Sequence, residues 1–254
     1  MASSALRPRS ASEIVDAAFQ ILRAHYGQFV TCSALAYFPW LVIELFFMGD
    51  PEKWMDASGW LLGGGLTGLW LTSALMSSVI ISCASQAYLG EPVDVANAVR
   101  RALPRLPRVL VAAAIRYFLL MLGFFALIIG SLYVFARLFA LTPVIILEDA
   151  NLPTAFARTS ALSKRRKSHI LNTLGLVAII YWVIAIGVSV LSALSGNFVV
   201  QAVVGTFYTI LAGPIVAITE TLLYYDARIQ SEGLDIELMA IELGIAPPTE
   251  HAAS

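Results

Sequence analysis

The sequence predicts an all-α protein, a polytopic membrane bundle of about six transmembrane helices with short amphipathic interfacial helices on the cytoplasmic side. Hydrophobic residues make up 59% of the 254 residues and charged residues 13%, whereas soluble domains average roughly 45–50% and 25%. Six apolar stretches approach or exceed the roughly 20 residues that a helix needs to cross a bilayer. Lysine and arginine are concentrated in alternate links between these stretches, which is typical of multi-span proteins.

The first two spans are predicted at 27–48 and 59–88. The first is interrupted only by Pro39 and Glu44, and the second contains no charged residue. Because the second is longer than the bilayer core requires, we expect it to tilt, to bend at its glycines or to protrude.

Four glycines near the start of the second span allow two interpretations. A phosphate-binding loop would need a lysine where this chain has Leu69, so that interpretation fails. Gly64 and Gly68 instead have the four-residue spacing of helices that approach each other closely in membranes. We therefore predict that they serve helix packing.

The remaining spans lie in the second half of the chain. The apolar block 109–147 would be about 58 Å long as one straight helix, roughly twice the thickness of the bilayer core. We therefore expect the chain to fold back at Gly130 and Ser131, giving spans at 109–129 and 132–148. One bent helix over 109–148 is the alternative. The fifth and sixth spans are predicted at 170–191 and 198–225.

The distribution of basic residues predicts the orientation. Thirteen of the sixteen lysines and arginines lie in the terminal segments and in the links 90–108 and 149–169, and only Lys53 lies in a link on the other side. Basic residues near span ends stay in the cytoplasm, so both termini are predicted to be cytoplasmic and the number of spans to be even. No cleavable signal peptide is predicted, and the net charge of -1 does not favour binding to nucleic acid.

Short amphipathic segments precede each pair of spans. They are predicted as helices at 11–25, 93–104 and 152–166, with apolar residues spaced three and four apart. Such helices are expected to lie in the headgroup plane with the apolar face toward the lipid. Ser10 and Glu13 match a capping box at the start of the first helix.

The C-terminal residues predict one more short helix at 235–243. Asp235 is a suitable N-terminal cap, and Gly244 is a suitable end. Residues 245–254 are predicted to be disordered.

Four charged residues lie inside predicted spans, where each needs a partner or a function. The rise per residue places Arg116 and Glu220 about 12 and 9 Å from the cytoplasmic face, so they are expected to pair between the third and sixth spans. Glu44 and Arg137 are expected to pair in the outer half. The residues form either an ion or substrate path or structural bridges, and we favour the bridges because water can reach glutamates near an interface.

A basic cluster precedes the fifth span. Its members are Lys164, Arg165, Arg166 and Lys167. Clusters of this kind contact anionic lipid headgroups, although the same residues would also fix the topology.

The sequence contains no pattern of a catalytic or metal site. The three histidines lack a second ligand at metal spacing, and no nucleophile motif is present. Cys32 and Cys83 lie within apolar runs, where they are expected to serve as small apolar packing residues. We therefore predict neither a cofactor nor an enzyme.

Two segments resemble a known family. Residues 143–167, PVIILEDANLPTAFARTSALSKRRK, and 222–239, LLYYDARIQSEGLDIELM, are similar to elements of the membrane-domain family named after glycerophosphoryl diester phosphodiesterase. The segment LRPRSASEIVDAAFQILRAHY resembles the N-terminal helix of that family. Thr159 and Ser160 depart from an adjacent Arg-Ser pair in the family pattern. The polar residues of these motifs are Glu148, Arg158, Asp226, Arg228, Glu232 and Asp235.

The resemblance implies a multi-span domain of a bacterial inner membrane without the phosphodiesterase barrel. For the second motif, Asp226, Arg228 and Glu232 are expected either to pair along one helix face or to contact the basic cluster. Binding of a cation or a headgroup there is a further alternative.

The sequence favours a noncatalytic membrane module that lies in the lipid bilayer and interacts with anionic lipids, with a protein partner or with a second copy of the chain. The alternative is a transporter or permease that uses Arg116, Arg137, Glu44 and Glu220.

Overall fold

The computed structural model describes residues 9–48, 60–125, 128–164 and 166–232, and all regular secondary structure in these ranges is helical. The predicted all-α class is therefore confirmed. Arg165, Asp235, the helix at 235–243 and the tail at 245–254 lie outside the described residues, as does the loop that contains Lys53.

Eleven α-helices follow one another along these described ranges. They are α1 (Ala11–Ala24), α2 (Tyr26–Met48), α3 (Trp60–Leu89), α4 (Val95–Ala102), α5 (Leu106–Phe125), α6 (Ile128–Arg137), α7 (Leu141–Leu147), α8 (Leu152–Leu162), α9 (Lys167–Ala193), α10 (Phe198–Ala212) and α11 (Pro214–Glu232). A 3-10 turn, Leu103–Arg105, joins α4 to α5.

Four helical stretches are long and apolar enough to cross a membrane. They are Val95–Gly123, Ile129–Leu147, Lys167–Ala193 and Val199–Glu232. In α9 the large apolar side chains face outward, and Ile179, Trp182 and Leu191 are all more than 60% exposed. Water would not stabilise such a surface, whereas lipid would. The helices α2 and α3 have 23 and 30 residues, a length that also reaches across a bilayer core.

The core lies around α11, which is buried along most of its length and contacts α1, α3 and α9. Ile218 and Tyr224 have no exposed surface, and Asp226 is only 3% exposed. The buried part of this one helix therefore extends from its apolar first half to the charged Asp226, and its last residues, Gln230 to Glu232, are exposed.

The short helix α1 begins at the predicted capping box. The backbone N–H of Ser10 donates to Glu13 Oε2 over 2.8 Å, and the N–H of Glu13 donates to Ser10 Oγ over 3.3 Å. Its apolar residues Ile14 and Ala18 have no exposed surface, because α1 packs against α9 and α11. This apolar face contacts the bundle and not the lipid that we predicted. In the same way, α4 packs against α3, and α8 packs against α7 and α11.

The block 109–147 folds back, but not at the predicted residues. Gly130 and Ser131 lie inside α6, and the break between α5 and α6 falls at 126–127, outside the described residues. A Cβ atom at Gly123 would lie 2.7 Å from the backbone nitrogen of Ser131. The glycines therefore permit close contact of the two helices and do not form the turn.

Two predicted spans each consist of two helices with a break between them. Pro143 has no N–H to donate to the carbonyl of Phe139, and the helix is interrupted at 138–140 between α6 and α7. Pro214 has the same effect between α10 and α11. The second helix of this pair continues to Glu232, seven residues beyond the predicted end of the span.

Gly68 is one of the two glycines of α3 that were predicted to serve helix packing, and it contacts a tryptophan. A Cβ atom at Gly68 would lie 2.4 Å from the Trp40 ring, so this position of α3 packs directly against α2. The side-chain surroundings of the other three glycines of that stretch lie outside the described set.

We expect Gly123→Ala to destabilise the protein, because its Cβ atom would overlap the backbone of α6. Overpacking of this kind costs on the order of 1–3 kcal/mol. The measurement is the thermal unfolding midpoint of the purified protein in detergent. Gly187→Ala is the matched control, since Gly187 lies in a membrane helix with no atom within 4 Å of the new Cβ. Equal midpoints for the two variants would contradict the close contact of α5 and α6.

Candidate functional site

An arginine clamp joins three helices at the charged end of the bundle. Arg158 on α8 donates from Nε to Glu148 Oε2 over 2.8 Å and from Nη2 to Glu148 Oε1 over 3.1 Å. It also donates to both carboxylate oxygens of Glu232, with Nη2 to Oε2 at 2.9 Å. Glu148 follows α7 and Glu232 ends α11. One planar guanidinium therefore makes two hydrogen bonds to each of two carboxylates from two other helices, a geometry that the single ammonium group of a lysine cannot reproduce.

The clamp is completed by two residues of α11. The Tyr224 hydroxyl donates to Glu148 Oε1 over 2.7 Å. Arg228 donates from Nε to Glu232 Oε2 over 3.1 Å and from Nη1 to the Tyr224 oxygen over 3.3 Å. The arginine clamp thus consists of Glu148, Arg158, Tyr224, Arg228 and Glu232, with two positive and two negative charges that neutralise one another.

The electrostatics of the clamp favour a fixed charge state. Partial burial opposes the charge of Arg158, but its hydrogen bonds to Glu148 and Glu232 raise its pKa above the usual range. Arg158 therefore remains a cation, and its fixed charge holds the two carboxylates together. A site with all charges paired in this way is suited to holding helices together.

Asp226 forms a second junction, one turn from the clamp. Its carboxylate accepts from the backbone N–H of Arg9 over 2.9 Å and from Gln230 Nε2 over 2.8 Å. His169 Nε2 and Arg166 Nη1 lie 3.4 and 3.7 Å from Asp226 Oδ2. This junction brings the segment before α1 to the start of α9. For the motif of segment 222–239, we expected either pairing along one helix face or contact with the basic cluster. Both occur, since Arg228 pairs with Glu232 along α11 and Asp226 contacts Arg166 of the basic cluster.

A third junction fixes the turn after α7. Asp149 has a φ of +49°, and its Oδ1 accepts from Arg105 Nε over 2.9 Å and from Arg108 Nη2 over 2.6 Å. Arg108 also donates to the carbonyls of Asp149 and Ala150. The bond from Arg105 holds the pKa of Asp149 below its usual value against a small effect of burial, with Arg108 acting in the same direction.

Sequence reasoning missed several of these contacts. Tyr224 was not singled out, and Arg105 and Arg108 were considered only for topology. The sequence did contain one signal for the third junction. The acidic residues Glu148 and Asp149 follow a predicted span, and they lie on the same predicted side of the membrane as the link that contains Arg105 and Arg108.

The basic cluster is divided between two environments. A surface hollow of about 750 Å³ lies at the charged end beside α1 and α9. This basic hollow is lined by Arg9, Ser10, Lys164, Arg166, Ser168, His169, Gln230 and Ser231. Lys167 contacts a different group, because its ammonium nitrogen lies 4.1 Å from the centre of the Tyr133 ring.

The predicted intramembrane ion pair of Arg116 with Glu220 does not form. Arg116 and Glu220 line one cavity, but they do not approach within 4.0 Å, and Glu220 Oε1 is buried without a hydrogen-bond partner. Arg137 Nε donates to Ser160 Oγ over 2.9 Å, so α6 reaches α8 near the charged end. The expected position of Arg137 in the outer half is therefore wrong. The side chain of Glu44 lies outside the described set.

Two further findings concern metal and sulfur chemistry. Within the described ranges, no group of three or more His, Cys, Asp or Glu residues is arranged to hold a metal ion. Cys32 and Cys83 are free and buried, and their sulfur atoms lie 3.9 Å apart between α2 and α3. The proximity of the two thiols was not apparent from their positions in the chain.

We expect Arg158→Lys to lower the stability of the protein although the charge is kept, because a lysine cannot make the paired hydrogen bonds to both Glu148 and Glu232. Each charged hydrogen bond contributes about 1.5–3 kcal/mol, reduced here by partial exposure to solvent. The unfolding midpoint in detergent checks this. The exposed Arg100 provides the matched control, and Arg100→Lys should leave the midpoint unchanged. An equal effect of the two substitutions would exclude a clamping role for Arg158.

Comparisons with protein-family models, with curated proteins and with solved structures find no match to this chain. The resemblance of segments 143–167 and 222–239 to the membrane-domain family therefore stays a prediction. The structure adds that Glu148 and Arg158 of the first segment contact Arg228 and Glu232 of the second, so the two segments form one site.

Proposed function

We propose that this chain is a noncatalytic multi-span module of a bacterial inner membrane whose cytoplasmic end binds anionic lipid headgroups. The basic hollow is the observation that carries the proposal. It is lined by Arg9, Lys164, Arg166 and His169, and its described lining residues include no carboxylate. The buried Asp226 lies 3.7 Å from Arg166 Nη1 and 3.4 Å from His169 Nε2. The two glutamates of the clamp are paired with Arg158 and Arg228, so their charges are already balanced within the clamp.

The chemistry of the basic hollow fits a phosphate ester. Guanidinium and ammonium groups bind phosphate oxygens by charge-assisted hydrogen bonds. Ser10, Ser168 and Ser231 supply hydroxyl groups around the same space. Partial burial lowers the pKa of Arg166, and Asp226 opposes this effect. Arg166 therefore lies in a partly desolvated position where its attraction to an anion is stronger than in bulk water.

The position of the basic hollow fits a lipid ligand. Arg166 and His169 flank Lys167, which begins the apolar stretch Lys167–Ala193. A hollow at the first residues of a membrane helix lies at the depth of the headgroups. Basic residues at this depth each contribute about 1 kcal/mol to the attraction of anionic lipid.

The topology in this proposal has six crossings with both termini in the cytoplasm. Its support is the contact of Arg9 with Asp226, which brings the first described residue and the end of α11 to the same end of the molecule. An even number of crossings produces this arrangement. Membership of the membrane-domain family would be consistent with it.

We expect Lys164→Gln with Arg166→Gln to weaken retention of phosphatidylglycerol by about fivefold for each charge removed. The purified protein is exchanged into a mixture of phosphatidylglycerol and phosphatidylcholine with the same acyl chains, and bound lipids are counted by native mass spectrometry. Raising the salt concentration should reduce the preference of the unaltered protein.

The matched control removes two exposed charges away from the basic hollow, Arg100→Gln with Arg101→Gln. If this pair reduces phosphatidylglycerol binding as much as the substitutions in the hollow, the contact is diffuse and the proposed site is wrong.

A second candidate function is transport, favoured by the cavity between the helices that contains Arg116 and Glu220. The two functions are separated by reconstituting the purified protein alone into liposomes. The protein would be a transporter and not a noncatalytic module if the liposomes take up a solute and Arg116→Gln abolishes this uptake while the variant remains folded and inserted.

A further inference from the structure

A cavity of about 420 Å³, with a mostly apolar wall and a few polar groups, lies within the bundle, apart from the basic hollow. It is formed where α5 faces α9 and α11, with α2, α3, α7 and α10 completing the wall. Its size falls within the range of sites for small ligands, about 300–1,000 Å³. We call it the Glu220 cavity.

Two polar atoms of the Glu220 cavity lack partners. Glu220 Oε1 and Trp70 Nε1 are each buried and have no hydrogen-bond partner in the described part of the chain. An unsatisfied buried polar group costs about 1–3 kcal/mol, and a charged one costs more. One of these atoms accepts and the other donates, so a ligand that satisfies both must carry a donor and an acceptor.

The charges of the cavity define the ligand further. Arg116 lines the same space as Glu220 and does not approach it within 4.0 Å. The separation leaves the guanidinium and the carboxylate each able to bind a group of opposite charge. A guanidinium matches the geometry of phosphate oxygens, and a carboxylate is a partner for an ammonium group.

The walls favour an organic cation beside Glu220. Five aromatic side chains line the Glu220 cavity, and aromatic faces attract ammonium groups. They are Tyr37, Trp70, Tyr117, Tyr181 and Trp182. An inorganic anion alone would leave both this surface and Glu220 without a partner.

The cavity reaches the apolar outer surface of the bundle. Tyr117 and Trp182 line it and are also 55% and 62% exposed. Their neighbours Phe118 and Val183 are exposed as well, so the opening lies on a surface suited to acyl chains. A ligand can therefore enter from the bilayer with its polar group directed inward.

We infer that the Glu220 cavity binds a zwitterion that joins an ammonium group to a phosphate, as in the headgroup of phosphatidylethanolamine. The ammonium group contacts Glu220 and the aromatic walls, and the phosphate contacts Arg116 and the N–H of Trp70. This site does not depend on the basic hollow, which lies at the charged end and has no carboxylate among its described lining residues.

The test measures lipid retention by the full chain, purified in detergent and stripped of lipid. Phosphatidylethanolamine and phosphatidylglycerol with identical acyl chains are added in equal amounts and counted by native mass spectrometry. Glu220→Gln and Arg116→Gln should each reduce retained phosphatidylethanolamine by about tenfold or more, which corresponds to the loss of one charged hydrogen bond. The same variants should leave phosphatidylglycerol retention unchanged.

Matched controls use exposed residues of the same types, Glu91→Gln and Arg100→Gln, which should bind phosphatidylethanolamine like the unaltered protein. Trp70→Phe keeps an aromatic ring and the net charge and removes the N–H donor together with part of the ring, so it remains informative if the charge variants fold poorly. It should weaken binding by about threefold to tenfold.

Soluble phosphoethanolamine distinguishes the source of the ligand. Displacement of the lipid by this competitor supports a site that also accepts free zwitterions, and no displacement supports a site for the lipid alone. The inference is overturned if Glu220→Gln, Arg116→Gln and Trp70→Phe retain phosphatidylethanolamine like the controls. Loss of phosphatidylglycerol binding in Lys164→Gln with Arg166→Gln, with phosphatidylethanolamine unchanged, would show that the two sites are independent.

Discussion

The pairing of carboxylates with arginines at one end of the bundle is the interaction on which the arrangement of the helices depends. Glu148, Asp149 and Glu232 each accept from at least one arginine, and Asp226 joins the segment before α1 to α9. Removing one partner from such a group leaves an uncompensated charge in a partly buried position, which is strongly unfavourable. The short helix α8 is therefore fixed on the bundle by the charge pairs of Arg158 as well as by its apolar face, and the segment before α1 is fixed by the bond from the Arg9 N–H to Asp226.

This pairing also separates two kinds of site. At the charged end the carboxylates are neutralised, so the remaining basic side chains form a hollow of positive potential suited to an anion. Deeper in the bundle, Arg116 and Glu220 lie in one cavity without touching, and each keeps its capacity to bind. The two sites differ in the distance between their opposite charges. A charge that contacts its partner no longer attracts a ligand strongly, whereas two separated charges can each attract one.

Part of this architecture could be predicted from residue patterns. The capping box of Ser10 and Glu13 depends on atoms three residues apart, and the break before Pro143 depends on a local bond that proline cannot make. The contact of Tyr224 with Glu148 spans 76 residues and depends on how α7 and α11 are rotated about their axes. The turn assigned to Gly130 and Ser131 failed for a related reason, since a glycine pair permits close packing as well as chain reversal, and only the position of α5 distinguishes the two.

By itself, the sequence determined that the chain is helical, that its helices are too apolar for water, and which links carry the basic residues. These properties are sums over many residues, so they do not depend on the placement of any one side chain. Only the tertiary structure decided that α1 covers α9 and α11, that Arg137 reaches Ser160, and that Arg116 and Glu220 share a cavity without pairing. Helix tilt and rotation determine such contacts, and hydropathy along the chain contains almost no information about either.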